Sequence, residues 1–158
     1  MTDLVLDVGA LADLLAQTLT SNRRDAVRFH SDRFIPSPVV KVLNHIVRSD
    51  GRYVVVASAF AFIELAHKWD EIVQGRFQAR QLAAFLADPP DWFVVAAMER
   101  ALIRFLCDVP SEVVVSSGRL QPIEWTDAIH AATTFSREEA RLVTTDLRLR
   151  QIPNLTAS

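Results

Sequence analysis

Four carboxylates in this chain interrupt or close apolar stretches, where a charge is most costly. Asp7 ends the run Leu4-Val5-Leu6, and Glu64 sits inside Ala59-Phe60-Ala61-Phe62-Ile63-Glu64-Leu65-Ala66. Asp127 opens the helix-like Asp127-Ala128-Ile129-His130-Ala131-Ala132, and Asp146 follows Leu142-Val143-Thr144-Thr145. A bare carboxylate against apolar neighbours costs several kcal/mol unless it is paired, protonated or bound to a metal. Each site alone has a simpler reading. Asp7 suits a helix cap, Asp127 a helix N-terminus and Asp146 a turn. Glu64 suits an ion pair to His67 or Lys68 at helical spacing. One convergent divalent-metal site accounts for all of them together.

The elements that would bring them together follow from the hydrophobic pattern. Leu4–Leu6 has strand length, and helical spacing runs from Ala10 to about Thr18. Ser21–Ser37 is polar and broken by Pro36, with Pro38 beyond, which predicts a loop or short irregular helix. Val39–Val47 is helical, and Asp50-Gly51 stops it. Tyr53–Val56 reads as a buried parallel strand, followed by a helix capped by Ser58 that runs through Glu64 to about Val73. Further helices are expected over Gln78–Leu86, Met98–Leu106 and from Thr126 or Asp127 to Phe135. Trp92–Val95 and Leu142–Thr145 read as strands, Val113–Val115 as a short strand or connector, and Ile152–Leu155 as an edge. Alternating strands and helices imply an α/β sandwich around a parallel sheet. Ligands bind such sheets at the carboxyl ends of the strands, where Asp7 and Asp146 stand.

The chain has 158 residues, half of them apolar and 23% charged, with a formal charge of −2. That suits a single domain over residues 1–158 with a real core and no broadly basic surface. Cys107 is the only cysteine, which excludes an intrachain disulfide and thiolate-based structural zinc. No signal-like or membrane-spanning run occurs, so the expectation is a cytoplasmic protein. Glycine-rich phosphate loops and the Gly-x-Ser-x-Gly elbow are missing. Gly9 stands where a haloacid-dehalogenase-like phosphatase would carry its second Asp.

Taken together, Leu4–Asp7, Ser58–Leu65, Trp125–Thr133 and Leu142–Asp146 resemble the PIN domain, most closely the toxins of VapBC-type toxin–antitoxin pairs. The resemblance covers nearly the whole chain apart from residues 21–50, a segment longer than in a minimal toxin. It implies a three-layer α/β/α sandwich with a five-stranded parallel sheet. It also implies that Asp7, Glu64, Asp127 and Asp146 form a catalytic acidic pocket holding magnesium or manganese. The implied activity is endoribonucleolytic hydrolysis of RNA phosphodiesters, with an antitoxin protein and a homodimer as partners. Val8 stands where the family usually carries a small hydroxyl residue, removing one hydrogen bond near the metal. Two further readings keep the fold: an inactive module that binds RNA or a partner, and a nuclease acting on DNA.

Residues around this set extend the reading. Magnesium and manganese prefer the hard oxygen ligands that carboxylates supply. Thr144 and Thr145 offer hydroxyls to a carboxylate or phosphate. Arg23, Arg24, Arg28, Arg33, Arg119, Arg148 and Arg150 could form a basic rim that tracks a nucleic-acid backbone. His130 is expected as a hydrogen-bonded helix histidine and Cys107 as a buried small hydrophobe. Trp69, Trp92 and Trp125 could stack bases, with at least two expected in the core or an interface. Trp69, Ile72 and Val73 are the local apolar surplus that a second copy would cover.

Overall fold

The computed structural model describes residues 2–20, 38–50 and 52–158. Four parallel strands form its sheet in the order β3-β2-β1-β6. These are β1 (Thr2–Leu6), β2 (Tyr53–Ser58), β3 (Phe93–Ala96) and β6 (Ala140–Val143). The central strand β1 pairs Leu4 with Val55 on one side and with Arg141 on the other. Side chains alternate between the two faces of a strand, and each face here is covered by helices.

Leu4, Leu6, Val55, Ala57 and Val143 face one layer. Its helices are α1 (Val8–Thr20), α2 (Pro38–Asp50), α3 (Ala59–His67), α4 (Trp69–Val73) and α5 (Ala79–Ala87). Val5, Val56 and Leu142 face the other layer, built from α7 (Trp125–Phe135) and the Leu149 to Ile152 turn. Outside α7 lies α6 (Arg100–Leu106), joined to it through Leu102, Ile129 and Ala132. This is the expected three-layer α/β/α sandwich, with four parallel strands among the described residues where the resemblance implies five. Leu4, Leu6, Leu11, Leu14 and Leu15 are fully buried, each contributing about 1.5–3 kcal/mol of burial free energy.

Local signals act as the sequence implies at the turn into α3. The Ser58 hydroxyl accepts a hydrogen bond from the Ala61 backbone N–H at 3.0 Å. Ser58→Ala should cost about 1 kcal/mol, read as a lowered urea midpoint with an unchanged slope. The Glu64 helix ends earlier than expected. Lys68, at φ −106° and ψ 35°, separates α3 from α4, although its N–H still donates to the Glu64 carbonyl. No proline or glycine marks that kink. Gly75, at φ +71°, occupies the left-handed region just after α4.

Other expectations shift. The last strand ends at Val143, leaving Thr144, Thr145 and Asp146 in the following loop. The Val113 segment becomes β4 (Glu112–Val114), paired antiparallel with β5 (Leu120–Pro122) as a separate hairpin. Ile152–Leu155 is not an edge strand. Instead Leu142 bridges Ala157 in parallel, and Leu142 exchanges backbone hydrogen bonds with Thr156 and Ser158. The edge lies further along because Leu149–Gln151 takes up a 3-10 turn whose Leu149 side chain enters the core. Of the local apolar surplus, Val73 is buried, while Trp69 and Ile72 are partly buried and pack against the core, Trp69 edge-on to Phe77. Trp92 packs there too. Cys107 is exposed at the end of α6, not buried. Among the described residues no helix is long and apolar enough to cross a membrane.

Candidate functional site

Asp7 directly follows β1, so its position is set by the central strand of the sheet. One carboxylate oxygen accepts from the Ala10 N–H at 2.7 Å, capping α1, and the other accepts from the Thr144 hydroxyl. The capping role and the site role are therefore compatible. Thr144 is buried and its hydroxyl also accepts from the Asp146 N–H at 3.0 Å, which ties the loop after β6 to Asp7. Thr145 is exposed instead. Burial pushes the Asp7 carboxyl above its usual range, against the opposing donations from Thr144 and Ala10.

Asp127 lies in the first turn of α7 and Asp146 in the loop after β6. Arg148 joins them. One of its guanidinium nitrogens donates to both Asp127 Oδ2, at 3.1 Å, and Asp146 Oδ2. Its Nε reaches both Asp146 oxygens at 3.1 Å, and its remaining nitrogen donates to the Pro122 carbonyl at the end of β5. Burial first, and the charge of Asp146 second, push the Asp127 carboxyl up to about 6. Burial also acts upward on Asp146, but the Arg148 hydrogen bonds outweigh it and hold that carboxyl low.

Glu64 reaches the same edge through His130. The glutamate is buried, with Oε1 accepting from Lys68 at 3.3 Å, the ion pair anticipated at (i, i+4). His67 is exposed and plays no such part. His130 is 1% exposed, and its Nε2 stands 3.6 Å from Glu64 Oε2. That separation is an electrostatic contact, too long for a hydrogen bond. Glu64 Oε2 and both His130 nitrogens accordingly lack a hydrogen-bond partner. His130 is nonetheless the largest cause that holds the Glu64 carboxyl below its usual range. Charge interactions also link His130 to Asp7 and Asp127. The expectation of a hydrogen-bonded helix histidine is thus replaced by a buried one beside Glu64.

The site is a linked set: Asp7 through Thr144 to Asp146, Asp146 through Arg148 to Asp127, and Glu64 through His130. Among the described residues, no three or more His, Cys, Asp or Glu side chains stand together closely enough to hold an ion. The chemistry of the donors still fits a hard divalent cation. Two carboxyls are raised by burial or mutual repulsion, and a buried Glu64 oxygen lacks a donor. A hard cation would offset such a penalty at each carboxylate that it reached.

The basic rim is only partly placed. Arg23, Arg24, Arg28 and Arg33, on the 21–37 part of the longer segment, lie outside the described residues. Arg119 is exposed at the β4–β5 turn, and Arg150 donates to the Thr144 carbonyl at 2.9 Å. Arg148 is an internal partner of two carboxylates, a role that its spacing from Asp146 alone does not reveal.

The architecture is the three-layer α/β/α sandwich that the sequence resemblance implies. The chain is similar to VapBC2 from Rickettsia felis, solved bound to a DNA fragment from its promoter. That match has a TM-score of 0.55 at 14% identity, over 100% of this chain and 98% of that one. It is also similar to FitAcB from Neisseria gonorrhoeae, with a TM-score of 0.56 at 16% identity over 98% and 95% of the two chains. At such identities the likeness is one of fold. No family model matches the sequence, and no curated protein does.

Proposed function

We propose that the chain is a divalent-metal-dependent endoribonuclease in which Asp7, Glu64, Asp127 and Asp146 hold magnesium or manganese. The observation that carries this reading is the partly buried trio Asp7, Asp146 and Asp127, joined through Thr144 and Arg148 at the C-terminal edge of the parallel sheet, with buried Glu64 beside His130. A bound ion of this kind lowers the pKa of its water and offsets charge on a phosphate. The chain's own groups supply the rest. Thr144 and the Ala10 N–H fix the Asp7 carboxylate, leaving it no freedom to turn away. A carboxylate not fully engaged would orient the attacking water or take its proton. Arg148 presents guanidinium donors suited to a phosphate once its carboxylate partners are otherwise satisfied.

The biological reading is the toxin of a toxin–antitoxin pair, in a cytoplasmic homodimer. Similarity in fold to VapBC2 and FitAcB, with the resemblance to VapBC-type toxins, supports the toxin part of this reading. An antitoxin arginine reaching the acidic set would be a simple inhibitory device. A second reading, a module that binds RNA or a partner without cleaving, is favoured by one observation. Arg148 already bridges Asp127 and Asp146, where a metal would compete with it.

Manganese-dependent cleavage of a mixed single-stranded RNA decides between them, comparing wild type with Asp7→Asn and Asp146→Asn. Nuclease activity predicts cleavage that requires added metal and falls at least about 100-fold in both variants. Calorimetry that detects no manganese binding by the wild type would reject the metal site and leave the binding module.

A further inference from the structure

We propose that Trp125, backed by Phe60, is a stacking platform for one unpaired nucleobase of the RNA strand held at the carboxylates. The inference rests on the nuclease reading and adds a base-binding subsite to it. Trp125 is the first residue of α7 and is 67% exposed, while Trp69 and Trp92 pack into the core. Its ring lies 4.9 Å from that of Phe60, centroid to centroid, at an interplanar angle of 59°. Phe60 in turn packs against the Leu102, Ile129 and Ala132 cluster. The indole is therefore supported from within, and much of it remains open to solvent.

The pair belongs to the site by position. Trp125 opens the helix of Asp127 but, two residues away, does not share its face, so its link to the site runs through Phe60. Phe60 is one turn before Glu64 on the same face of α3. The aromatic pair thus stands at the ends of two helices that carry two of the site carboxylates. A strand with one phosphate at those carboxylates has neighbouring bases to place. Bases in single strands and loops are free to stack on an aromatic face, whichever base it is. Lys68 and Arg148, both partly exposed, are the cations paired with these carboxylates.

A protein partner fits this spot less well. Exposed Glu124 precedes Trp125, a charge of the kind depleted from the cores of protein interfaces, and Lys68 and Arg148 lie within charge reach of it to offset its repulsion of a phosphate. Cation–carboxylate pairs beside a single aromatic face suit a nucleotide, which brings both a phosphate and a ring.

The test measures binding of a mixed-sequence single-stranded RNA decamer by fluorescence anisotropy, with calcium in place of manganese. Wild type, Trp125→Ala and Trp125→Phe are compared on this RNA and on the same decamer made abasic. Trp125→Ala should weaken binding of the normal RNA roughly 5- to 100-fold, and Trp125→Phe by less than about threefold. The abasic RNA should bind wild type and Trp125→Ala alike. Because the indole is exposed, the thermal midpoints should agree, which separates lost stacking from lost folding. Wild-type affinity in Trp125→Ala, or an equal loss on abasic RNA, overturns the platform. So does a change from dimer to monomer in sedimentation, which would make a second copy the occupant. Base-dependent binding through Trp125 without metal-dependent cleavage would reject hydrolysis and keep the platform. Cleavage with binding indifferent to Trp125 would do the reverse.

Discussion

Asp127→Asn should melt higher than the wild type at pH 8 in the absence of metal, and should not cleave RNA. Both effects come from the same carboxylate. The Asp127 side chain is 20% exposed, and burial and Asp146 raise its carboxyl from 3.8 to about 6. The folded state therefore holds this proton more tightly than the unfolded chain. The stability from that proton is fully present below about pH 4 and is lost as pH rises through 6. Above that window the ionised group penalises folding by about 3 kcal/mol at most. Asparagine keeps the neutral shape at every pH, so the variant avoids the penalty.

The expected gain is about 1–3 kcal/mol at pH 8, or several degrees in the midpoint for a chain of this size. It should shrink as pH falls through 6 and vanish near pH 4, where both proteins carry a neutral group. Manganese should then reverse the ranking, because a ligand stabilises only the state that binds it and the variant lacks a charged oxygen. Thermal melts at pH 4, 6 and 8, with and without manganese, check all of this. Equal midpoints at pH 8 and equal responses to manganese would remove Asp127 from any metal site.

Such conflicts between a charge and its surroundings are what made the site legible. Asp7 and Asp146 follow apolar runs of strand length, so the parallel-sheet rule places them at one edge. Glu64 stands out because its helix offers little polar company. That the sheet is covered on both faces was equally readable, since Leu4-Val5-Leu6 and Val54-Val55-Val56 are continuous apolar runs. What stayed hidden depends on contacts across long separations. The place of Arg148 requires β6 beside β1 and the β4–β5 hairpin beneath it, so that Pro122 can accept from the guanidinium. Of the two three-residue hairpin strands, the Val113 run marks β4, whereas Leu120–Pro122 has no apolar run to announce β5. The kink at Lys68 has no proline or glycine to mark it. Cys107 was assigned to the core on residue type alone, whereas its position at the end of a seven-residue helix exposes it.

Arg148→Ala should lower stability without metal yet bind manganese more tightly. The guanidinium is 28% exposed and serves carboxylates that are 20% and 26% exposed, so its interactions are only partly screened. Without it, Asp127 and Asp146 keep their mutual repulsion and lose their shared counter-charge. That should cost about 2 kcal/mol in EDTA at pH 8, less than the 3–5 kcal/mol typical of breaking a fully buried pair. The same two carboxylates then have no internal cation to displace when an ion arrives. Two cations competing for one anionic site are coupled negatively, and removing the resident one should strengthen manganese binding on the order of tenfold. Added manganese should therefore restore much of the lost stability. RNA cleavage should fall despite the tighter metal, because the donors suited to the phosphate are gone. Calorimetry and melts in parallel separate these effects. Unchanged manganese affinity in Arg148→Ala would mean that the arginine and the ion do not share these carboxylates, and that Arg148 has only a structural role.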